Sequence, residues 1–211
     1  DIADYILLVG DPGRVELIAS FFDSIIISKQ NREFKTVTGM YKNKKITALS
    51  SGIGTDNIDI VINELDALVN IDLKKRTIKK EHKKLNFIRI GTSGALQENI
   101  PVNSFVLSEK SVGFDNLLHF YDIDTENKEI TNALKEKLGW NKNLPFPYVV
   151  SASNELSEKF RMNKAFIAGM NISSPGFYGP QGRTLRIPLA DKDMNKKIEA
   201  FEFDGKKITN Y

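Results

Sequence analysis

Short apolar runs alternate with amphipathic stretches along the chain. Residues 5–10 form an apolar run with the length and bulk of a buried strand, and residues 15–22 then predict a helix. A second apolar run, at residues 85–90, also stops at a glycine. Between the two runs, apolar residues at helical spacing predict a long helix with one buried face; they are Ile58, Val61, Ile62, Leu65, Leu68 and Val69.

The rest of the pattern predicts a fold in which strands and helices take turns. Further strands are predicted at residues 25–27, 34–37, 45–49, 101–107, 148–152, 165–172 and 206–211, and further helices at residues 130–138 and 193–201. Gly139 should end the first of these helices, because glycine readily adopts the left-handed conformation found there. We therefore predict an α/β protein with a single domain over residues 1–211, in which a central mixed β-sheet is flanked by helices and ligands bind at strand ends.

Composition narrows the chemistry that the chain can support. It has 211 residues, of which 41% are apolar and 27% charged, and this indicates a globular protein. With no cysteine and only two histidines, neither a disulfide framework nor a cysteine- or histidine-rich metal site is expected. The net charge of +3 is too small to imply nucleic acid, and no apolar run approaches the length of a membrane span. The first residues do not resemble a signal peptide, so we expect a cytoplasmic protein.

The first apolar run ends in Gly10-Asp-Pro-Gly-Arg14, a turn followed by a fixed positive charge. Gly10 lets the backbone approach a ligand closely, because it has no Cβ. Pro12 and Gly13 predict a turn near the start of the helix, where backbone N–H groups and Arg14 would face an anion, most simply phosphate. The alternative is an ordinary strand–turn–helix with a surface arginine.

The second apolar run contains an arginine. Arg89 lies two positions before Gly91, and a buried arginine needs an anionic partner because desolvating an unpaired charge is costly. Thr92 and Ser93 add hydroxyl groups in the turn that follows. This turn lacks the Gly-x-Ser-x-Gly pattern of a nucleophile elbow, and neither histidine has a recognisable triad context. We therefore expect hydroxyls that hydrogen-bond an anion rather than an activated serine.

A later loop combines turn-forming residues with side chains that suit a flat, polar ring. Residues 173–183 include Phe177, Tyr178, Gln181 and Arg183. An aromatic side chain can pack against a heterocycle, an amide supplies both donor and acceptor, and a guanidinium supplies a fork of donors. The alternative is a surface loop anchored by a tyrosine.

Two other stretches match known motifs poorly. The glycine-rich residues 50–57 end in asparagine where a dinucleotide fingerprint requires a third glycine, so we interpret them as a strand-to-helix turn with Thr55 or Asp56 as the N-cap. Residues 74–84 contain seven Lys and Arg residues. No aromatic side chain lies among them to stack on bases, and Glu81 interrupts the run, so we expect a solvated surface rather than a nucleic-acid site.

Taken in order, these motifs resemble those of the nucleoside phosphorylases of the uridine phosphorylase type. The resemblance runs from Tyr5 to Tyr211, which is essentially the whole chain. Each block is short, and it is their order and family-like spacing that make the resemblance specific. The blocks are Gly10-Asp-Pro-Gly-Arg14, Asn31-Arg-Glu-Phe34, Ser51-Gly-Ile-Gly54, Arg89-Ile-Gly-Thr92 and Phe177-Tyr-Gly-Pro-Gln-Gly-Arg183.

The resemblance implies a phosphate site that is shared between subunits. Gly10, Arg14, Arg89 and Thr92 would hold phosphate, and Arg32 would reach the phosphate of the neighbouring subunit. Each active site would then require a homodimer. Many members of the family assemble as hexamers of dimers, and others as dimers.

For the base, the resemblance implies that Gln181 and Arg183 hold a pyrimidine ring and that Phe177 packs against it. The implied reaction is phosphorolysis, in which uridine and inorganic phosphate give uracil and ribose 1-phosphate in nucleoside salvage. Arg14, Arg89 and Arg183 would be the catalytic residues, acting by positioning and charge stabilisation. Phosphate would be a co-substrate, and no cofactor, metal ion, nucleic acid or membrane partner is implied.

Ribose binding lies outside the matched blocks. In the family, the segment that matches Asn210-Tyr211 continues into a Glu-Met-Glu motif that binds ribose, and an N-terminal segment supplies a histidine that contacts ribose. We therefore expect the 211 residues to be part of a longer protein. Two alternatives stay open, a nucleosidase of the same fold that uses water and a non-catalytic binding or assembly protein. The sequence does not distinguish uridine, deoxyuridine and thymidine as substrates.

Overall fold

The strands and helices of this protein fall into two compact units. The computed structural model describes residues 2–125 and 127–211, and the boundary between the units lies after Thr92. Each unit contains a five-stranded sheet with helices packed against it. The predicted α/β class with helices beside mixed β-sheet is confirmed, but in place of one central sheet the described strands form two five-stranded sheets and a separate two-stranded one. A single domain over the whole chain stays a prediction.

The elements of the first unit are β1 (Tyr5–Val9), α1 (Pro12–Ala19), β2 (Ser24–Asn31), β3 (Phe34–Tyr41), β4 (Lys44–Ser50), α2 (Thr55–Asn70), β5 (Ile71–Asp72), β6 (Thr77–Ile78) and β7 (Asn86–Arg89). β1 lies between β4 and β7 and runs parallel to both. β3 is antiparallel to β4, and β2 is antiparallel to β3. The carboxyl ends of β4, β1 and β7 therefore lie at the same edge of the sheet as the β2–β3 turn. We call this the carboxyl edge; Gly10, Ser51 and Ile90 follow its three parallel strands.

Apolar side chains hold both helices of the first unit to its sheet. α2 buries Val61 and Leu65, and α1 buries Val15. The strand residues that pack against them are Ile6, Leu8, Val9, Val37, Ala48 and Leu49. Each large side chain buried in this way contributes about 1.5–3 kcal/mol. The helix start differs from the prediction, because Gly54 is the N-cap of α2 and no side chain caps it.

The elements of the second unit are β8 (Phe105–Gly113), a 3₁₀ turn (Leu117–Phe120), α3 (Lys128–Leu138), β9 (Tyr148–Ser151), α4 (Asn154–Arg161), β10 (Phe166–Ser173), a second 3₁₀ turn (Gly179–Gln181), α5 (Met194–Glu199), β11 (Glu202–Phe203) and β12 (Lys206–Asn210). β10 runs parallel to its neighbours β8 and β12, and β9 and β11 are antiparallel at the outer positions. One apolar cluster joins the sheet to α3 and α5. The loop after β10, which carries the predicted base-binding residues, thus starts from a central strand.

The clearest differences from the sequence prediction concern β8, α4 and the basic run at residues 74–84. β8 begins at Phe105 rather than residue 101 and continues to Gly113. α4 was not predicted, because most of its residues are polar and only its N-cap, Ser153, is a clear helix signal. The basic run at residues 74–84 includes one strand of the short β5–β6 hairpin, and all of its residues are exposed. Among the described residues, no helix has the length and apolar character of a membrane span.

Glu109 is a nearly buried acidic residue at the middle of β8. Its side chain is only 9% exposed. Arg161 of α4 donates from Nε to Glu109 Oε1 at 2.8 Å, and Lys206 of β12 pairs with Oε2. The hydrogen bond from Lys206, with that from Arg161, lowers the pKa of Glu109 from its ordinary value, against the opposing effect of burial. The carboxylate therefore ties β8 to α4 and β12.

We expect Glu109→Gln to lower the free energy of unfolding by about 1–2 kcal/mol at neutral pH, because the amide loses both ion pairs. A carboxylate whose pKa is lowered in the folded state stabilises the protein above its unfolded-state pKa. That contribution is lost as the pH falls through the folded-state pKa. The difference between wild type and variant in urea unfolding should therefore shrink below about pH 4.

Glu155→Gln is the matched control for this experiment. Glu155 also forms an ion pair on α4, with Lys159, but its side chain is 80% exposed. Its loss should cost at most about 0.5 kcal/mol. An unfolding difference for the Glu109 variant that stayed constant across this pH range would contradict the proposed role of the carboxylate.

Candidate active site

Two arginines from different elements meet at the carboxyl edge of the first sheet. Arg14 lies in the first turn of α1, and Arg89 ends β7, where it is in register with Leu8 of β1. The Arg14 guanidinium donates from Nη1 to the backbone oxygen of Ile90 at 3.4 Å. Arg14 is also near enough to the Arg89 guanidinium for its positive charge to lower the pKa of Arg89.

The charges of Arg14 and Arg89 act on one another. Arg89 is exposed as a residue, yet desolvation of its guanidinium lowers its pKa, and the positive charge of Arg14 lowers it further. Within residues 2–125 and 127–211, neither guanidinium forms an ion pair with Asp or Glu. An oxyanion between them would relieve their repulsion and accept charge-assisted hydrogen bonds from both. The arrangement is suited to an anion such as phosphate.

Two details of the expected anion site are wrong. Arg89 is exposed rather than buried, because it is the last residue of an edge strand. The first backbone N–H groups of α1 are also already bonded. Gly13 donates to Asp11 Oδ1 at 2.9 Å and Arg14 to the backbone oxygen of Asp11 at 3.1 Å. Since Asp11 caps the helix, an anion at this edge would depend on the guanidinium groups instead of these two N–H groups.

Gly10 lies against the Arg14 guanidinium. A Cβ at position 10 would lie 3.5 Å from Arg14 Nη2 and 3.4 Å from the backbone oxygen of Gly52. Both distances are ordinary van der Waals contacts, so the role of Gly10 as a phosphate ligand stays a prediction. Thr92 is exposed in the turn after β7. Its role as a phosphate ligand stays a prediction from the family resemblance.

Arg32 occupies the β2–β3 turn, which lies at the same edge. The residue is exposed and its φ is 53°, in the left-handed region. The turn is anchored through Glu33, whose backbone oxygen accepts from Ser50 Oγ at 2.6 Å and whose Oε1 accepts from Asn57 Nδ2 at 3.0 Å. A backbone hydrogen bond and then the Asn57 amide lower the pKa of Glu33 from its ordinary value. Arg32 is thus presented to solvent on a well-anchored turn.

The predicted base-binding residues lie together in the second unit, on the loop after β10. The backbone oxygen of Tyr178 accepts from the N–H groups of Gln181 at 3.0 Å and Arg183 at 2.9 Å. Gly182, between them, has a φ of 67°, a left-handed conformation that glycine adopts at little cost. This tight turn brings the amide and the guanidinium side by side.

Arg183 organises these side chains. Its guanidinium carbon lies 4.0 Å from the centroid of the Phe177 ring, in a cation–π contact. Its Nη1 donates to the backbone oxygen of Phe177 at 2.9 Å and also to Gln181 Oε1. The bond to Oε1 fixes the orientation of the amide, and no partner among the described residues takes Gln181 Nε2. The amide and guanidinium donors that remain can recognise a ring bearing carbonyl oxygens, and Phe177 is 61% exposed beside them.

The predicted site residues thus form two groups, one in each unit, and sequence reasoning missed two residues near the second group. A Cβ on Gly94 would lie 2.8 Å from Arg183 Nη2, so glycine leaves room for the guanidinium there. The glycine-rich turn after Arg89 was a usable signal for this residue. Asn195 contacts the loop from 14 positions beyond Gln181, and no local pattern indicates it. Within the described residues, no group of three or more His, Asp or Glu side chains is placed to hold a metal ion.

Comparison with known proteins finds nucleoside phosphorylases. The family model of the phosphorylase superfamily matches residues 4–204. The chain is 29% identical over 188 residues to the uridine phosphorylase of Thermococcus kodakarensis, covering 87% of this chain and 55% of that relative. It is 34% identical over 119 residues to a DeoD-type purine nucleoside phosphorylase of Streptococcus thermophilus, covering 56% of this chain and 45% of that relative. The chain spans about half the length of these relatives.

Solved structures agree with this match. A Trypanosoma brucei nucleoside phosphorylase that shows uridine phosphorylase activity has a TM-score of 0.87 and 27% identity, over 99% of this chain and 76% of that chain. The uridine phosphorylase of Vibrio fischeri has a TM-score of 0.62 and 20% identity, over 100% of this chain and 69% of that chain, which supports the fold. Relatives named for uridine and for purine nucleosides both match. Since the family model covers nearly all of its residues, the chain belongs to the phosphorylase superfamily.

Proposed function

We propose that this protein catalyses the phosphorolysis of a pyrimidine nucleoside, as a step of nucleoside salvage in the cytoplasm. Uridine and inorganic phosphate would give uracil and ribose 1-phosphate. The observation that carries the proposal is the pair of neighbouring guanidinium groups, Arg14 and Arg89, that no carboxylate neutralises among the described residues. A phosphorylase requires such a site because inorganic phosphate is its nucleophile.

On the phosphate side, Arg14 and Arg89 would hold the anion, with Gly10 and Thr92 as further ligands. A phosphate oxygen attacks the anomeric carbon of the sugar while the bond from that carbon to the base breaks. The sugar passes through an oxocarbenium-like state, and the bound anion stabilises its positive charge. No covalent enzyme intermediate is needed, so the guanidinium groups act by positioning and by charge.

On the base side, the electron pair of the broken bond leaves with the ring, and negative charge develops on its carbonyl oxygens. Gln181 Nε2 and the remaining N–H groups of Arg183 are donors suited to those oxygens. Each such contact is worth about 2–4 kcal/mol in the transition state. The exposed ring of Phe177 would pack against the leaving base.

The preference for uracil follows from the pattern of donors and acceptors. Gln181 Oε1 accepts a hydrogen bond from Arg183 and keeps a second lone pair that can accept from an N–H group of the base. Gln181 Nε2 and the other Arg183 N–H groups are donors beside it. Uracil carries an N–H between two carbonyl oxygens, whereas cytosine presents an amino group, a donor, toward the cation. A 6-oxopurine shares part of this pattern, so selection against purines would depend on the size of the ring. The purine nucleoside phosphorylases among the relatives make inosine the natural competitor.

We also propose a homodimer, and in larger assemblies a hexamer of dimers, in which Arg32 of each subunit completes the phosphate site of its neighbour. Its exposed position on the anchored β2–β3 turn supports this role. A third guanidinium group would add charge to a site where Arg14 and Arg89 already repel one another, and bound phosphate would offset that repulsion.

The reaction can be tested directly with the full-length protein. Uracil release from uridine should require inorganic phosphate and should yield one ribose 1-phosphate for each uracil. The assay follows uracil by absorbance, with and without phosphate, after dialysis against a phosphate-free buffer. Inosine is assayed in parallel under the same conditions.

Three other outcomes would contradict the proposed reaction or its preferred substrate. Uracil release that ignores phosphate would reject the proposal in favour of a nucleosidase. Faster phosphorolysis of inosine than of uridine would overturn the pyrimidine preference. Binding of uracil and phosphate by calorimetry, with no turnover of either nucleoside, would indicate a non-catalytic binding protein.

A further inference from the structure

A second layer of hydrogen bonds lies behind the Gln181–Arg183 pair. Asn195 on α5 donates from Nδ2 to the backbone oxygen of Gln181 at 3.1 Å. Its Oδ1 accepts from the hydroxyl of Tyr211 at 2.6 Å. Both residues are half-buried, and Tyr211 packs against the apolar cluster of the second unit. Asn195 therefore links the loop after β10, through Tyr211, to the apolar cluster of the second unit.

Tyr211 is placed to orient the Asn195 amide. Burial raises the pKa of its phenol to about 12, and the nearby charge of Arg183 offsets part of the rise, so the hydroxyl stays protonated and can donate. The backbone N–H of Tyr211 bonds to the oxygen of Gly94 at 3.0 Å, which holds the tyrosine in place. With the amide reversed, the oxygen of Asn195 would face the carbonyl of Gln181, and two acceptors repel. The hydroxyl thus favours the orientation that supports the loop.

Gly182 shows how closely Asn195 lies against the loop. A Cβ at position 182 would lie 2.5 Å from Asn195 Oδ1 and 2.6 Å from its Nδ2. Any side chain there would displace the amide. Asn195 therefore rests against the residue that separates Gln181 from Arg183, where a small shift moves both recognition groups.

We propose that Asn195 is a positioning residue for base recognition, which holds the Gln181–Arg183 pair in place through the backbone oxygen of Gln181. The inference rests on the proposed function, because it takes that pair to bind the base. Asn195 acts through Gln181 rather than by contact with substrate. Its loss should weaken use of the nucleoside and leave use of phosphate unchanged, since the phosphate residues lie in the first unit.

The test compares three variants of the full-length protein. Asn195→Ala removes both hydrogen bonds. Asn195→Asp keeps an acceptor for Tyr211 but places a carboxylate against the carbonyl of Gln181. Tyr211→Phe removes only the orienting hydroxyl. Asn132→Ala, at an exposed position on α3, is the control.

We expect kcat/KM for uridine to fall roughly tenfold in both Asn195 variants, as loss of one partly buried hydrogen bond implies, and about threefold in Tyr211→Phe. Uracil binding measured by calorimetry should weaken by the same factors. The KM for phosphate should stay within about twofold of wild type, and the melting temperature within about 2 °C. A purely structural role would instead lower the melting temperature and impair use of both substrates.

Two results would overturn the inference. One is an Asn195→Asp variant with the wild-type kcat/KM for uridine. The other is an Asn195→Ala variant in which the KM values for uridine and phosphate rise together. If the wild type binds uracil without turning uridine over, the proposed function fails alone, and uracil binding by the variants decides the role of Asn195. If the wild type binds no uracil, both fail.

Discussion

Arg89→Ala should lower kcat/KM for phosphate by about 10²–10³-fold while leaving the melting temperature nearly unchanged. The loss of activity follows because one of two guanidinium groups that would stabilise the attacking anion is removed. The fold should tolerate the change, because Arg89 is exposed at the end of an edge strand. Its removal also ends the repulsion between Arg89 and Arg14. Initial rates at varied phosphate concentration and thermal unfolding of the same samples measure both effects.

Two further variants make the result interpretable. Lys80→Ala removes one positive charge from the exposed basic run and should leave kcat/KM for phosphate within about twofold of wild type. Arg89→Lys keeps the charge but loses the fork of donors, so its kcat/KM for phosphate should lie between the values of wild type and Arg89→Ala. Wild-type use of phosphate by Arg89→Ala would remove Arg89 from the site.

Arg183→Ala should weaken uracil binding roughly 10- to 100-fold and leave phosphate binding intact. A hydrogen bond from a charged donor contributes about 1.5–3 kcal/mol, which corresponds to a change of that size. The variant would also free the amide of Gln181 and uncover one face of Phe177, since Arg183 contacts both. Calorimetric titration of uracil and of phosphate, each into the same preparation, measures base binding and phosphate binding separately.

The control for this variant lies three residues further along the same loop. Arg186 is exposed, and its replacement by alanine should leave both affinities near those of wild type. A fall in phosphate affinity with unchanged uracil affinity in Arg183→Ala would contradict the assignment of Arg183 to base binding.

Much of the framework around the phosphate residues follows from local sequence. The apolar runs that become β1 and β7 lie next to glycines, and the stripe on α2 repeats at helical spacing, so periodicity alone indicates these elements. α3 is similar, because Gly139 ends it with a φ of 58° as expected from its sequence. In each case the signal lies within a single element, and no distant contact is needed to read it.

Features that depend on contacts between distant residues could not be predicted from local sequence. β8 carries a nearly buried Glu109, which a pattern of apolar residues cannot indicate, because its partners come from α4 and β12. Arg89 lies in an apolar run and was expected to be buried, but its exposure depends on β7 being an edge strand. The cap that Asp11 forms on α1 is a local contact instead, so its signal was present in the first motif and was missed. Pairing order and capping contacts, rather than composition, decide these points.

The central claim is that Arg14 and Arg89 bind the same phosphate ion. Calorimetric titration of inorganic phosphate into the full-length protein, and into Arg14→Ala, Arg89→Ala and the double variant, tests this most directly. The account predicts one phosphate for each chain, weakened about 10-fold or more by either single change, with little further loss in the double variant, because both changes disrupt one site. Full-strength phosphate binding in both single variants would contradict it.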